Sequence, residues 1–119
     1  MTNHVYWLIE LEIQPGKEQA VQALMKELVD ATRAHEPGAL NFEWSTSADG
    51  TRCHLYERYA DSDAAMTHLA RFGQQFAGRF LEILKPTRFV VYGSPSQQVK
   101  EGLAAFSPLY MTMREGFSR

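Results

Sequence analysis

Four histidines and one cysteine are the residues from which a catalytic or metal centre would first be built here. His4, His35, His54 and His68 form no His-x-His or His-x-x-x-His pair, and no cysteine pair stands beside them. A protein-bound metal is therefore not expected. Cys53 is the single cysteine, so no internal disulfide exists, and it reads as a small buried apolar residue. Gly73 to Gly78 has the glycine spacing of a phosphate loop, but Arg79-Phe80 follows where Lys-Ser/Thr is needed. For acid–base chemistry the candidate catalytic residues are His68 and Glu57, each of which reads equally as a structural residue: Glu57 as a buried carboxylate paired within the sheet, His68 as a half-exposed helix histidine. The seven Phe, five Tyr and two Trp supply material for an apolar, aromatic pocket. Trp44, Tyr56, Tyr59, Phe72 and Phe76 are the candidate substrate-binding residues.

These side chains need elements to hold them. Val5, Trp7, Ile9, Leu11 and Ile13 alternate along a strand that Pro15-Gly16 stops. Lys17 to His35 carries Val21, Leu24, Met25, Leu28 and Thr32 at helical spacing, and Glu36-Pro37-Gly38 ends it. Asp49-Gly50 predicts a two-residue hairpin turn between Ala48 and Thr51. Its register sets Trp44 opposite Leu55, Phe42 opposite Glu57 and Leu40 opposite Tyr59, which places Glu57 on an otherwise apolar face. Ser45 with His54, Glu43 with Tyr56 and Asn41 with Arg58 form the other face. A carboxylate placed like Glu57 needs a buried donor or has a raised pKa.

Asp61 or Ser62 caps a second helical region that runs to Lys85, with an interruption expected near Gly73 and Gly78 and a stop at Pro86. Ala65, Leu69, Phe72 and Phe76 centre its apolar stripe. His68 lies roughly 75° from that centre, where an imidazole at a pocket edge can stay neutral near pH 7 and accept a phenolic proton. Phe72, Phe76 and Phe80 read first as core. Thr87 to Tyr92 is a fourth strand. Ser94 is expected to cap a last helix with Pro95 at its first position, and Leu109 to Arg114 alternates like a short strand.

Strand, helix, strand, strand, helix, strand is the order of an α+β, ferredoxin-like, four-stranded antiparallel sheet with its helices on one face. Residues 1–93 form this unit, and 94–119 add a helix and arm. The open sheet face is most economically covered by a second subunit, in a homodimer or a higher oligomer. One domain's length, a net charge of -2 and 45% hydrophobic residues leave no case for a nucleic-acid binder. No apolar run approaches a membrane span, so a soluble, cytoplasmic protein is expected.

Several stretches resemble the antibiotic biosynthesis monooxygenase domain family. Leu11-Glu12-Ile13-Gln14-Pro15-Gly16-Lys17-Glu18 is similar to its strand-to-helix opening, and Glu36-Pro37-Gly38-Ala39-Leu40-Asn41-Phe42-Glu43 to its second strand. Leu55-Tyr56-Glu57-Arg58-Tyr59-Ala60-Asp61 resembles its third strand, and Ala64-Ala65-Met66-Thr67-His68-Leu69 the following helix. The likeness covers residues 5 to 93. It implies a dimeric α+β barrel and a small oxygenase that works without flavin, metal or haem on quinols or anthrone-like phenols. Many relatives carry a second histidine about five residues past the helix histidine, where this chain has Gly73. The helix tryptophan and later histidine of the haem-degrading branch correspond to His68 and Gly78, which disfavours haem cleavage. A cofactor-independent monooxygenase acting on a small aromatic molecule is the leading expectation. A non-catalytic dimeric ligand-binding or stress-related protein and a polyketide-type isomerase or cyclase are the alternatives. Ser94 to Arg119 lies outside the common domain, as an arm over the partner or the pocket mouth.

Overall fold

A computed structural model describes residues 2–119, so Met1 of the 1–93 unit lies outside the described residues. The elements are β1 (Val5–Ile13), α1 (Glu18–His35), β2 (Ala39–Thr46), β3 (Arg52–Tyr59), α2 (Ser62–Gln75), α3 (Ala77–Ile83), β4 (Leu84–Gly93), α4 (Gln97–Leu103) and β5 (Leu109–Tyr110). The first four strands to be expected form the ferredoxin-like α+β sheet, and β5 adds an edge: the order is β2-β3-β1-β4-β5. All pairs are antiparallel except β4 with β5.

Alternation decides which face of each strand is covered. Val5, Trp7, Ile9 and Leu11 of β1 are buried, as are Cys53, Leu55, Glu57 and Tyr59 of β3 and Phe89 and Val91 of β4. Val21, Leu24, Met25 and Leu28 of α1 join them in one core with Ala65, Phe80 and Ile83. Val99 and Leu103 of α4 belong to the same core, so the segment after Gly93 is packed into it. Among the described residues no helix is long and apolar enough to cross a membrane.

The turn into α1 follows its composition. The Lys17 N–H donates to the Gln14 carbonyl at 3.0 Å, with Pro15 at the first corner and Gly16 at φ +79 at the second. That left-handed second corner is the position where glycine is needed.

The β2–β3 register matches the expected one from Asn41↔Arg58 to Ser45↔His54. The loop is longer than two residues, because pairing stops at Thr46↔Cys53 and Ser47 still bonds Arg52 across it. The register survives because the two extra residues are split evenly between the strands. At the other end a bulge sets Ala39, not Leu40, opposite Tyr59, and Leu40 is left exposed.

Four boundaries differ from the sequence expectation. The helix break falls at Phe76, with φ −128 and ψ −22, while Gly73 and Gly78 stay helical. That break re-aims α3 so that Phe80 and Ile83 are buried, and packing overrides glycine propensity there. The helix ends at Ile83, and β4 begins at Leu84 and runs through Pro86. Pro86 sits at a register shift in the β1–β4 ladder, where a missing N–H is tolerated. Ser96 rather than Ser94 caps α4, accepting the Val99 N–H at 3.2 Å. The late strand is two residues long, Leu109–Tyr110, instead of reaching Arg114.

Candidate functional site

Three elements converge on one buried cluster. β3 carries Glu57 in its inward row, between Leu55 and Tyr59, and the Glu57 side chain is 3% exposed. Asp61 caps α2, its carboxylate accepting the Ala64 N–H at 2.8 Å, and the helix brings His68 down onto β3 two turns later. Glu36 comes from the end of α1. Its N–H bonds the Thr32 carbonyl and its own carbonyl accepts the Ala39 N–H, both at 3.0 Å, which fixes the backbone as it turns toward β2. Gly38 lies against α2 so closely that a Cβ there would stand 2.6 Å from the Ala64 Cβ.

His68 lies between two carboxylates. Its Nε2 is 3.1 Å from Glu57 Oε1 and its Nδ1 is 3.0 Å from Glu36 Oε1. The Tyr59 hydroxyl donates to the same Glu57 oxygen. The Arg71 Nε stands 3.5 Å from Glu36 Oε2, with its side chain 29% exposed. Phe42, Tyr59 and Phe72 surround the imidazole, with ring centroids 5.3 to 6.2 Å away.

Burial alone would discharge His68, but the Glu57 and Glu36 carboxylates outweigh it and lift its pKa to about 9. His68 is therefore an imidazolium at neutral pH, able to donate from both nitrogens. This differs from the neutral edge imidazole expected from the helix wheel: His68 is buried, and its two acidic neighbours come from other elements. Burial, then the Glu57 charge and hydrogen bond, hold the Tyr59 hydroxyl protonated well above its usual range.

A cavity of about 30 Å³ opens beside this cluster. Trp7, Ile9, Phe42, Leu55, Leu69, Phe72, Phe80, Phe89 and Phe106 contribute to its wall, and Glu57 and His68 are its only titratable lining residues among those described. Phe72 meets Phe80 edge-to-face at 5.1 Å. The site thus offers a base and an acid side by side on an apolar surface. Among the described residues no group of three or more His, Cys, Asp or Glu side chains is placed to hold a metal ion.

Of the residues singled out in the sequence, the structure brings Glu57, His68 and Phe72 to the cavity. Tyr59 stands behind Glu57, off the wall. Trp44 is on the inner face but packs against Phe80, with centroids 6.2 Å apart, outside the cavity. Tyr56 lies on the opposite sheet face, beside Leu8 and Glu43 in the ladders. Phe76 sits at the α2–α3 break, away from the wall. Cys53 is buried, and burial pushes its thiol up to about 11. Sequence reasoning missed Glu36 and Arg71. Glu36 looked like a helix terminator, and only the acidic side chain directly before Pro37 hinted at more.

The family profile described as antibiotic biosynthesis monooxygenase matches residues 5–77. Among solved structures, MupZ from Pseudomonas fluorescens superposes with a TM-score of 0.87 at 23% identity, covering 100% of this chain and 91% of that one. That likeness includes the segment beyond Gly93. A conserved protein from Methanosarcina mazei Go1 gives 0.66 at 20% identity over 77% of this chain and 93% of its own. Rv0793 from Mycobacterium tuberculosis gives 0.59 at 26% identity over 74% of this chain and 91% of its own. No curated protein sequence matches the chain.

Proposed function

Because this chain belongs to the antibiotic biosynthesis monooxygenase family, we propose that it is a cofactor-independent monooxygenase acting on a small quinol or anthrone-like substrate. The observation that carries this reading is the apolar, aromatic cavity whose titratable lining is the Glu57–His68 pair. An electron-rich phenol becomes reactive toward dioxygen once deprotonated, since its anion can pass an electron to oxygen directly. Glu57 takes the hydroxyl proton. With that carboxylate neutralised, the His68 Nε2–H and its charge face the new oxyanion. For an anthrone, the methylene carbon becomes a carbonyl by gaining one oxygen atom. Its two hydrogens leave with the other oxygen as water. The aromatic wall keeps bulk water away from the anion.

The free space holds only one or two waters. Binding a ring system therefore requires side chains such as Phe42, Phe72 and Phe106 to turn aside, toward the roughly 300 Å³ or more that ligand pockets occupy. A second reading, an isomerase or cyclase for a polyketide-type substrate, draws support from the acid and base standing together, which proton-transfer chemistry can use without oxygen. Oxygen uptake with a panel of quinols and anthrones decides between them. Uptake matched to product supports the monooxygenase, and conversion without uptake supports the isomerase or cyclase. Neither outcome leaves a ligand-binding protein.

The proposed working form is a homodimer. Tyr6, Leu8 and Tyr92 are half-buried on the sheet face away from the helices, with Tyr6 and Tyr92 stacked at 5.4 Å, and Leu109, Met111 and Met113 are exposed beyond the sheet. A second copy over this face would bury on the order of 2,000 Å². Light scattering at micromolar concentration should give a dimer, and a stable monomer would sink the proposal.

A further inference from the structure

We propose that Glu36 is a positioning residue for this site: it grips His68 from the side away from the cavity, holds the ring as an imidazolium and so aims its Nε2–H at Glu57 and the cavity. This rests on the acid–base role proposed for Glu57 and His68, and assigns a task to a residue that never meets the substrate.

The geometry is that of a ring held at both ends. The cavity-side nitrogen faces Glu57, and the remote nitrogen faces Glu36 Oε1 at 3.0 Å. A carboxylate accepts but does not donate, so the Nδ1 it faces must carry a proton. The ring then presents a second N–H to the cavity only while it is doubly protonated. Glu57 alone cannot secure this, because taking a substrate proton removes its charge at the moment the donor is needed. Glu36 lies outside the cavity wall and takes no part in that proton transfer.

Arg71 completes the arrangement. Its Nε stands 3.5 Å from the other Glu36 oxygen, so the two oxygens of Glu36 face different cations. The guanidinium faces the carboxylate oxygen that His68 leaves free, on the side away from the ring. The groups facing His68 are then Glu57 and Tyr59 from β3, Glu36 from the end of α1, and Arg71 one step behind Glu36.

The test follows the two His68 ring nitrogens by NMR across pH, which needs no substrate and is therefore independent of the oxygen-uptake result. Glu36→Gln keeps the size and an acceptor oxygen but removes the charge. It should make His68 roughly tenfold or more stronger as an acid, one pKa unit or beyond. Glu36→Asp should restore much of the wild-type titration. Arg71→Gln removes the cation and should leave His68 no stronger an acid than in the wild type. An unchanged His68 titration in folded Glu36→Gln, or an equal fall in Arg71→Gln, would overturn the proposal. If Glu36→Gln fails to fold, the Glu36→Asp and Arg71→Gln titrations still decide it. Failure of Glu36→Asp to stay nearer the wild type than to an ordinary histidine counts against it.

Discussion

Glu57 and Arg58 are consecutive on β3 and lie on opposite faces of the sheet. Glu57 points toward the helices, 2% exposed, and reaches Tyr59 and His68. Arg58 points away from them, donates to Asn41 Oδ1 at 2.8 Å, and comes within 3.3 Å of His4 Nδ1 and 3.5 Å of Ser118 Oγ. Both are charged groups in polar networks, but only one network is shut off from water. On the outer face solvent can replace any lost partner at little cost. On the inner face each charge depends on a few named neighbours, so removing a carboxylate lowers the His68 pKa. A strand's period of two thus puts a reactive ensemble and a surface network within one residue of each other.

The sharpest way to break this contrast is to neutralise the inner carboxylate. Glu57→Gln should lower turnover of an active phenolic substrate by about 10²–10⁴-fold, the scale of a lost general base. His68→Gln should act in the same direction, with circular dichroism showing both variants folded. Unchanged turnover in a folded Glu57→Gln protein would reduce the inner network to scaffold.

The next effect is on stability as a function of pH. The folded pKa of His68, about 9, lies above its ordinary 6.5, so the native state binds the extra proton. That stabilisation is complete below pH 6.5, declines across the window up to about 9, and is gone above it. Tyr59 and Cys53 add losses of the same sign at still higher pH. Urea unfolding across this range should therefore show falling stability in the wild type and a flatter profile between 6.5 and 9 in His68→Gln. Equal slopes would mean that the carboxylates do not hold the charge. The smallest effect belongs outside: Arg58→Ala should change stability by less than about 1 kcal/mol and leave the His68 titration where it was.

The strand pattern and the Asp49-Gly50 signal were enough to put Glu57 among buried apolar neighbours, since period-two alternation fixes the face even when loop length is misjudged. The His68–Glu36 meeting was not legible, because those residues are 32 positions apart and nothing local to either encodes the distance between α1 and α2. Tyr56 and Phe76 show the opposite limit. Aromatic identity suggested a pocket, while Tyr56's place in the ladder and the unwound backbone at Phe76 sent them elsewhere. The displaced helix break has the same origin, in tertiary packing that a glycine count does not register.

Gly38 is two residues beyond Glu36 and rests on α2 one turn before His68. The separation between the two halves of the charge network is therefore set by an atom that is not there. This makes the site brittle in a particular direction. Substitutions at Phe89 or Phe106, wall residues that pack on each other and not on the imidazole, should change the cavity's shape and spare the network, whereas a single methyl group at Gly38 would meet Ala64 and wedge the α1–β2 connection away from α2. Attempts to reshape the cavity for other molecules have room to vary the phenylalanines that stand off the imidazole, but that glycine works as a spacer gauge between α2 and the α1–β2 connection.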